Sequence, residues 1–367
     1  MATASALDRW LAAHGRRAQR CRFGDLEYAR LNDDDHGRLR GTVILPSGRE
    51  VPGYPRIGRI LALEAGLAAH FDGPVWAEEK VDGYNVRIVC EQGRLLALTR
   101  GGFVCPFTSH RLEDLLPAAV FEDHPDLVLC AELAGPESPY HRGPVPGVER
   151  DVALFVFDVL GPDGRLWDTP EVEALSRAYG LPRAACFGRF GLDQVQALHE
   201  LAQRLDAEGR EGLVFKQAGA PGRRVKYATA ASSIHQIGIK SPELLELPAD
   251  FFVERVLRLA LFEDEHGRPL RRHAAALGEA MLGGLEQALA DFRHSGRVAF
   301  TYRCRVRVPA VADELLAHLE RTSGHQVRIR RVGLERQGDE WLLTFERIPS
   351  HINGLLHELL GGTLVFD

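Results

Sequence analysis

The sequence predicts an α+β protein built on mostly antiparallel sheet, with helices gathered in its second half. Three observations carry that expectation. Residues 86–90 and 95–99 are β-like runs flanking the turn Glu91-Gln92-Gly93-Arg94, which reads as a hairpin. Residues 154–159 are a short apolar run of strand length. Residues 193–207 repeat Val195, Leu198, Leu201 and Leu205 at helical spacing.

In chain order, residues 1–55 read as a small accessory module. A short helix is expected over 7–18, followed by turn-rich chain with brief β runs such as 42–45. The acidic triplet Asp33-Asp34-Asp35 reads as a solvated turn. Residues 56–231 hold every chemical motif and form the catalytic unit. Residues 232–293 are helical, with Ser241-Pro242-Glu243 as a start signal. Leu245, Phe252, Val256, Leu259 and Leu261 crowd an apolar face there, and a second helix runs from Ala274 to Phe292. Such helices need a partner surface, either the catalytic unit or a second subunit. Residues 294–367 read as a separate unit of order β-α-β-β-α-β, which suggests a ferredoxin-like sandwich ending in a strand over 363–366. Arg303, Arg305, Arg307, Arg328 and Arg330 would then share one open sheet face. That face is either solvated, with Glu346 as counter-charge, or a surface that contacts RNA.

The chain of 367 residues has room for two to four domains. A net charge of -6 argues against coating nucleic acid through bulk charge but permits a local basic groove. The six cysteines form no C-x-x-C pair, which disfavours a zinc ribbon, and their scatter reads as reduced thiols of a cytoplasmic protein. No apolar run reaches membrane-spanning length, no signal peptide is evident, and no G-x-x-x-x-G-K-[ST] loop is present.

The chemistry is concentrated around Lys80-Val81-Asp82-Gly83. A lysine followed by x-Asp-Gly is the nucleophile signature of enzymes that attach a nucleotide to themselves. Alone it is weak, because such tetrapeptides also occur on hairpin turns. Here it is followed in order by Thr99-Arg100-Gly101-Gly102, Glu132-Leu133, Phe155-Val156-Phe157-Asp158, Glu211 to Lys216, and Arg224-Val225-Lys226.

With these fragments the chain resembles the covalent nucleotidyltransferases, and most narrowly the archaeal-type homodimeric ATP-dependent RNA ligases. The resemblance is dense over residues 53–235. It implies an antiparallel nucleotidyltransferase core of the DNA-ligase, ATP-grasp-like type, with an N-terminal module, a helical dimerisation region and a C-terminal domain. It implies ATP and Mg2+ (or Mn2+), RNA ends bearing a 5′-phosphate and a 3′-OH as partners, a homodimer, and no membrane. Lys80 would be the nucleophile, with Asp82 orienting the turn or acting late. Glu132 would accept from a ribose hydroxyl, Phe157 would stack on adenine, and Glu78 would receive the adenine amino group. Arg87 and Arg100 would contact the ribose or phosphates. Lys216 and Lys226 would neutralise the α-phosphate, and Glu211 would hold the metal. The last motif has Arg224 where related enzymes often carry lysine. His110, His141 and Arg142 fall in plausible substrate loops, for possible RNA contact. Rival readings are an ATP-dependent DNA ligase, a capping guanylyltransferase, and a protein that binds nucleotide or RNA without catalysis.

Overall fold

Alternation of apolar and polar residues along short strands dictates two stacked antiparallel sheets, with a cleft between them. The computed structural model describes residues 5–243, 247–248 and 250–364. At the N-terminus α1 (Ala6–His14) starts in a capping box between Ser5 and Asp8. It packs on a four-stranded sheet ordered β1 (Ala18–Phe23), β2 (Leu26–Leu31), β3 (Val43–Ile44), β4 (Glu50–Val51). The strands β1 and β2 replace part of the expected helix and turn-rich stretch. Asp35 is not solvated as expected: it is buried, accepting from Arg17 at 2.7 Å and meeting His14 Nδ1 at 2.6 Å.

The next elements are β5 (Gly58–Arg59), α2 (Leu63–His70), β6 (Val75–Lys80), β7 (Tyr84–Glu91), β8 (Arg94–Thr99), α3 (Pro106–Leu115), α4 (Ala119–Asp123), β9 (Val128–Ala134) and β10 (Ala153–Leu160). The β7–β8 hairpin forms as expected: Glu91 faces Arg94, and Gln92 and Gly93 both take positive φ, the primed turn that matches strand twist. Strands β10-β9-β7-β8 make one sheet. Its first face (Val86, Ile88, Leu129, Ala131, Leu133) packs on helices and on the C-terminal unit. Its second face packs its Val89, Leu96, Leu98 and Cys130 against Tyr28, Val43, Leu45 and Val51 of the N-terminal module.

Then come α5 (Thr169–Tyr179), β11 (Cys186–Phe190), α6 (Val195–Ala207), β12 (Gly212–Gln217) and β13 (Ala220–Ala228). The second core sheet is ordered β11-β6-β12-β13-β5, antiparallel except for β13 against β5. Ala77, Leu213, Phe215, Val225 and Tyr227 point from one face into a core closed by α2, α6 and the helix α8 introduced below. Every second residue therefore points the other way, into the cleft.

The helical region holds α7 (Ala230–Lys240), α8 (Asp250–Glu265) and α9 (Ala274–Ser295). Ser241-Pro242-Glu243 does not start a helix: it is a 3-10 turn at the end of α7, and the Ser241 hydroxyl donates back to the Gly238 carbonyl. Leu245 lies outside the described residues. Among the described residues, no helix is long and apolar enough to cross a membrane.

The C-terminal unit contains β14 (Phe300–Val306), α10 (Pro309–Ser323), β15 (Val327–Gln337), β16 (Glu340–Pro349) and α11 (Ser350–Leu360), with strands ordered β14-β16-β15. Of the strand expected over 363–366, Thr363 and Leu364 are not in strand, and Val365 and Phe366 lie outside the described residues. The unit shares one continuous apolar core with the first core sheet. The expected arginine face is open at Arg303 and Arg328, which are exposed, and has Glu346 as its expected counter-charge, but part of it is engaged. Arg305 is buried and pairs with Glu137 at 2.5 Å, Arg307 pairs with Asp114, and Arg330 pairs with Glu346 at 2.7 Å.

Candidate active site

Two registers place the charged residues of the second core sheet. Lys80 lies opposite Gly212, and Glu78 lies opposite Val214, which in turn faces Lys226. Lys216 faces Arg224 in the same pairing. Glu78, Lys80, Lys216, Arg224 and Lys226 therefore share the cleft-facing side. Gly212 adopts φ +146 and lies so close to the Tyr227 carbonyl that a Cβ would stand 2.1 Å from it; no side chain fits beside the Lys80 strand there. Gly83 is similarly pinned, its virtual Cβ 2.4 Å from the Leu133 carbonyl, so the turn after Lys80 hugs β9.

The cleft opens into a cavity of about 530 Å3. Its walls include Lys80, Glu78, Lys216 and Lys226 from one sheet, and Asn85, Glu132 and Phe157 from the other. Tyr54, Pro55 and Ile57 close it from the N-terminal side, and Arg100 and Phe103 from the loop after β8. Two further wall residues, His318 and Thr322, come from α10. Sequence reading did not anticipate them, because nothing in a helix far along the chain signals which cavity it will cover. Phe103 meets His318 edge-on, with ring centroids 6.0 Å apart.

The ionic arrangement is dense. Lys80 Nζ donates to Glu211 at 2.5 Å. Lys216 Nζ donates to Glu78 at 2.7 Å and to the Phe157 carbonyl at 2.6 Å, and pairs with Asp158 at 3.0 Å. Asp158 also receives Arg224 and the Tyr54 hydroxyl. Burial pushes the Asp158 carboxyl up, but Lys216 and Arg224 outweigh it and hold the group below its usual value. The sequence carried one signal for Asp158: an acidic residue inside a buried apolar run needs a cation beside it.

Burial raises Glu132 to about 8; Lys80 opposes this, while Glu211 and Asp82 add to it. Glu211 is likewise raised by burial. Burial, then Arg59 and Lys80, lowers Lys226 to about 8. Near neutrality this cleft therefore holds a protonated carboxyl and a lysine close to losing its proton.

Arg87 departs from expectation. It is fully buried, outside the cavity lining, and donates to the carbonyls of Pro52, Gly41 (2.8 Å) and Thr99 (3.0 Å). Asn85 and Arg87 point the same way from β7, but the N-terminal module covers the sheet from Arg87 onward. Glu78 is also less available than expected, since Thr169 donates to it at 2.9 Å and Arg183 at 3.0 Å in addition to Lys216. His110 accepts from the Arg307 amide at 3.0 Å, docking the C-terminal unit. Arg142 donates to Glu243 at 3.0 Å and lies 4.0 Å over the Phe300 ring. Both serve internal contacts.

A strand-end lysine, facing a nucleotide-sized cavity and followed by two more lysines on the same sheet face, defines a nucleotidyltransferase site. Comparison with known proteins narrows the class. The RNA ligase family model matches residues 73–228, and that of the Ligase Pab1020 C-terminal region matches residues 240–363. An uncharacterized protein of Methanocaldococcus jannaschii is 30% identical over 341 residues, spanning 88% of this chain and 86% of its own. Among solved structures, one described as "Putative ATP-dependent DNA ligase from Aquifex aeolicus" is 39% identical with a TM-score of 0.92, covering 98% of this chain and 99% of that one. An archaeal ATP-dependent RNA ligase is 28% identical with a TM-score of 0.87, covering 97% and 96%. The chain belongs to the RNA ligase family, with the C-terminal region of its archaeal ligases.

Proposed function

We propose that this RNA ligase uses ATP to join a 5′-phosphate to a 3′-OH through lysyl-AMP and RNA-adenylate intermediates. The observation that carries the reading is Lys80 on the wall of the 530 Å3 cavity, beside Lys216 and Lys226. Neutral Lys80 Nζ attacks the α-phosphorus of ATP; the bond to the β-phosphate oxygen breaks, pyrophosphate leaves and the amine loses a proton. An oxygen of the RNA 5′-phosphate then attacks the same phosphorus, and the P–N bond breaks as lysine regains its proton. Finally the 3′-OH attacks the activated 5′-phosphorus, giving up its proton as AMP departs.

Each residue has a part in this course. The resting Lys80–Glu211 contact holds the amine as a donor, so Glu211 must be drawn off before attack. Glu211 is the residue that would hold a hard divalent cation, Mg2+ or Mn2+, since its carboxylate is the oxygen donor beside Lys80. When bound, that ion offsets phosphate charge and occupies Glu211. Lys226, lowered to about 8, and Lys216 would offset the negative charge that builds on the α-phosphate, as cations on the cavity wall can. Phe157 offers an apolar surface for adenine, Glu132 a partner for a ribose hydroxyl, and Arg100 a contact at the mouth. Asp82, in the turn beyond Lys80, orients that turn. Six free cysteines support a reducing compartment such as the cytoplasm. Val253 and Leu282, 65% and 66% exposed on α8 and α9, support a homodimer through the helical region, which light scattering on the purified protein tests.

The test is labelling with α-labelled ATP and divalent metal, without nucleic acid, then denaturing electrophoresis. Wild type should carry covalent label and Lys80→Ala none. Label that survives Lys80→Ala would remove Lys80 as nucleophile. The Aquifex aeolicus description favours a second reading, DNA sealing, so labelled enzyme should then be offered matched RNA and DNA ends. Transfer to RNA ends alone is expected; transfer to DNA ends alone would replace the reading.

A further inference from the structure

Lys80 also borders a second, smaller cavity of about 50 Å3, shared with Asp82, Phe155, Glu211 and His235. Three potential ligands converge beside it from separate elements. Asp82 sits in the turn between β6 and β7, His141 in the connection between β9 and β10, and His235 in the middle of α7. One donor atom from each lies within 4.8 Å of the other two, and Asp82 Oδ1 stands 4.0 Å from His141 Nδ1. Nothing in the ligase reaction as derived uses either imidazole.

The two histidines are unusual in a second way. The Nε2 atoms of both His141 and His235 are buried without a hydrogen-bond partner. A buried polar nitrogen left unpaired costs free energy, and two in one cluster ask for a ligand to satisfy them. The site is also shaped around a ring. Gly143 has φ +110, and a Cβ there would stand 3.0 Å from Cε1 and Nε2 of His235, so that imidazole lies against bare backbone.

We infer that Asp82, His141 and His235 form a binding site for a divalent first-row transition ion of the zinc class. Two imidazoles with one carboxylate suit such ions, whereas Mg2+ and Ca2+ prefer all-oxygen sets. Ligands held about 2 Å from one ion lie roughly 3–3.5 Å apart, so modest side-chain rotation closes the present gaps. Such an ion ties the connection between β9 and β10 to α7 and to the turn that follows Lys80. The inference goes beyond the ligase reading and does not depend on it.

The experiment uses the full chain, stripped with a chelator and titrated with Co2+ as a coloured stand-in for Zn2+, with no nucleotide or RNA. One equivalent should bind with the visible absorption of an imidazole-ligated ion, be displaced by Zn2+, and resist a large excess of Mg2+. His141→Gln and His235→Gln should each weaken binding about tenfold or more, while Lys80→Ala retains it. Circular dichroism checks that each variant is folded; if one is not, the other decides. Absence of stoichiometric uptake by folded wild type, or uptake unchanged in the folded histidine variants, would overturn the assignment. So would loss of the ion in Glu211→Gln with full retention in both histidine variants, which would place it among the cleft carboxylates.

Discussion

The second core sheet and the C-terminal sheet both gather cations on one face, yet the two rows end in different places. On β6, β12 and β13 the row of Lys80, Lys216 and Lys226 faces a cavity. On β14 and just past its end, Arg305 and Arg307 turn toward carboxylates of the neighbouring core, Glu137 and Asp114, while Arg303 stays exposed. Alternation states that residues share a face; it says nothing of what lies across from that face. Across from the lysines is the cavity with the raised carboxyl of Glu132, and across from Arg305 and Arg307 is packed protein.

The sharpest way to break this contrast is at Asp158. Its carboxylate serves Lys216 and Arg224, whose side chains are each 3% exposed. Asp158→Ala leaves both cations buried, and urea unfolding should show a loss of about 3–5 kcal/mol. A loss below 1 kcal/mol would mean the cleft cations do not depend on it.

Lys216→Met should cut the rate of covalent labelling by about 10²–10³-fold, the cost of removing one preorganised charge from a developing anion. Rapid-quench labelling measures it. Unchanged labelling would make Lys216 a brace for Glu78 and no more.

A third test uses pH. Glu132 is raised to about 8 in the fold and has an ordinary value near 4.3 in the unfolded chain. Folded protein therefore keeps a proton that unfolded chain releases between those values. Its contribution is fully present below about pH 4 and is lost as pH rises toward 8. Glu132→Gln should flatten that slope, gaining about 1–3 kcal/mol over wild type between pH 5 and 8 in urea unfolding. Parallel profiles would show that Glu132 is not held protonated.

The smallest effect belongs to the arginine row. Glu137→Ala should cost about 1–2 kcal/mol, because Arg305 keeps Gln337 at 3.0 Å and Glu340 at 3.8 Å. Nucleotide labelling should be untouched. A labelling defect as large as that of Lys216→Met would erase the distinction between the two rows.

Much of the core was legible. The six fragments fall on β6, β9, β10, β12, β13 and the loop after β8, and seven of the ten expected site residues line the cavity. Period-two spacing foretold that Glu78 and Lys80 share a face. What escaped was cover. Arg87 has the same spacing from Asn85 that Lys80 has from Glu78, but the N-terminal module seals it under the carbonyls of Gly41 and Pro52. Arg305 was legible as a strand residue and not as a partner of Glu137, which lies far away in sequence. The helix start read at Ser241 failed because the preceding helix was still using that serine as its last turn.

The wall formed by His318 and Thr322 has a consequence for how the protein is made. During synthesis the residues that would handle the nucleotide emerge well before α10. Until residue 322 has left the ribosome, the cavity lacks one side and opens onto water. A nascent chain is thus poorly placed to charge itself with nucleotide, and the chemistry waits for nearly the whole polypeptide to be in hand.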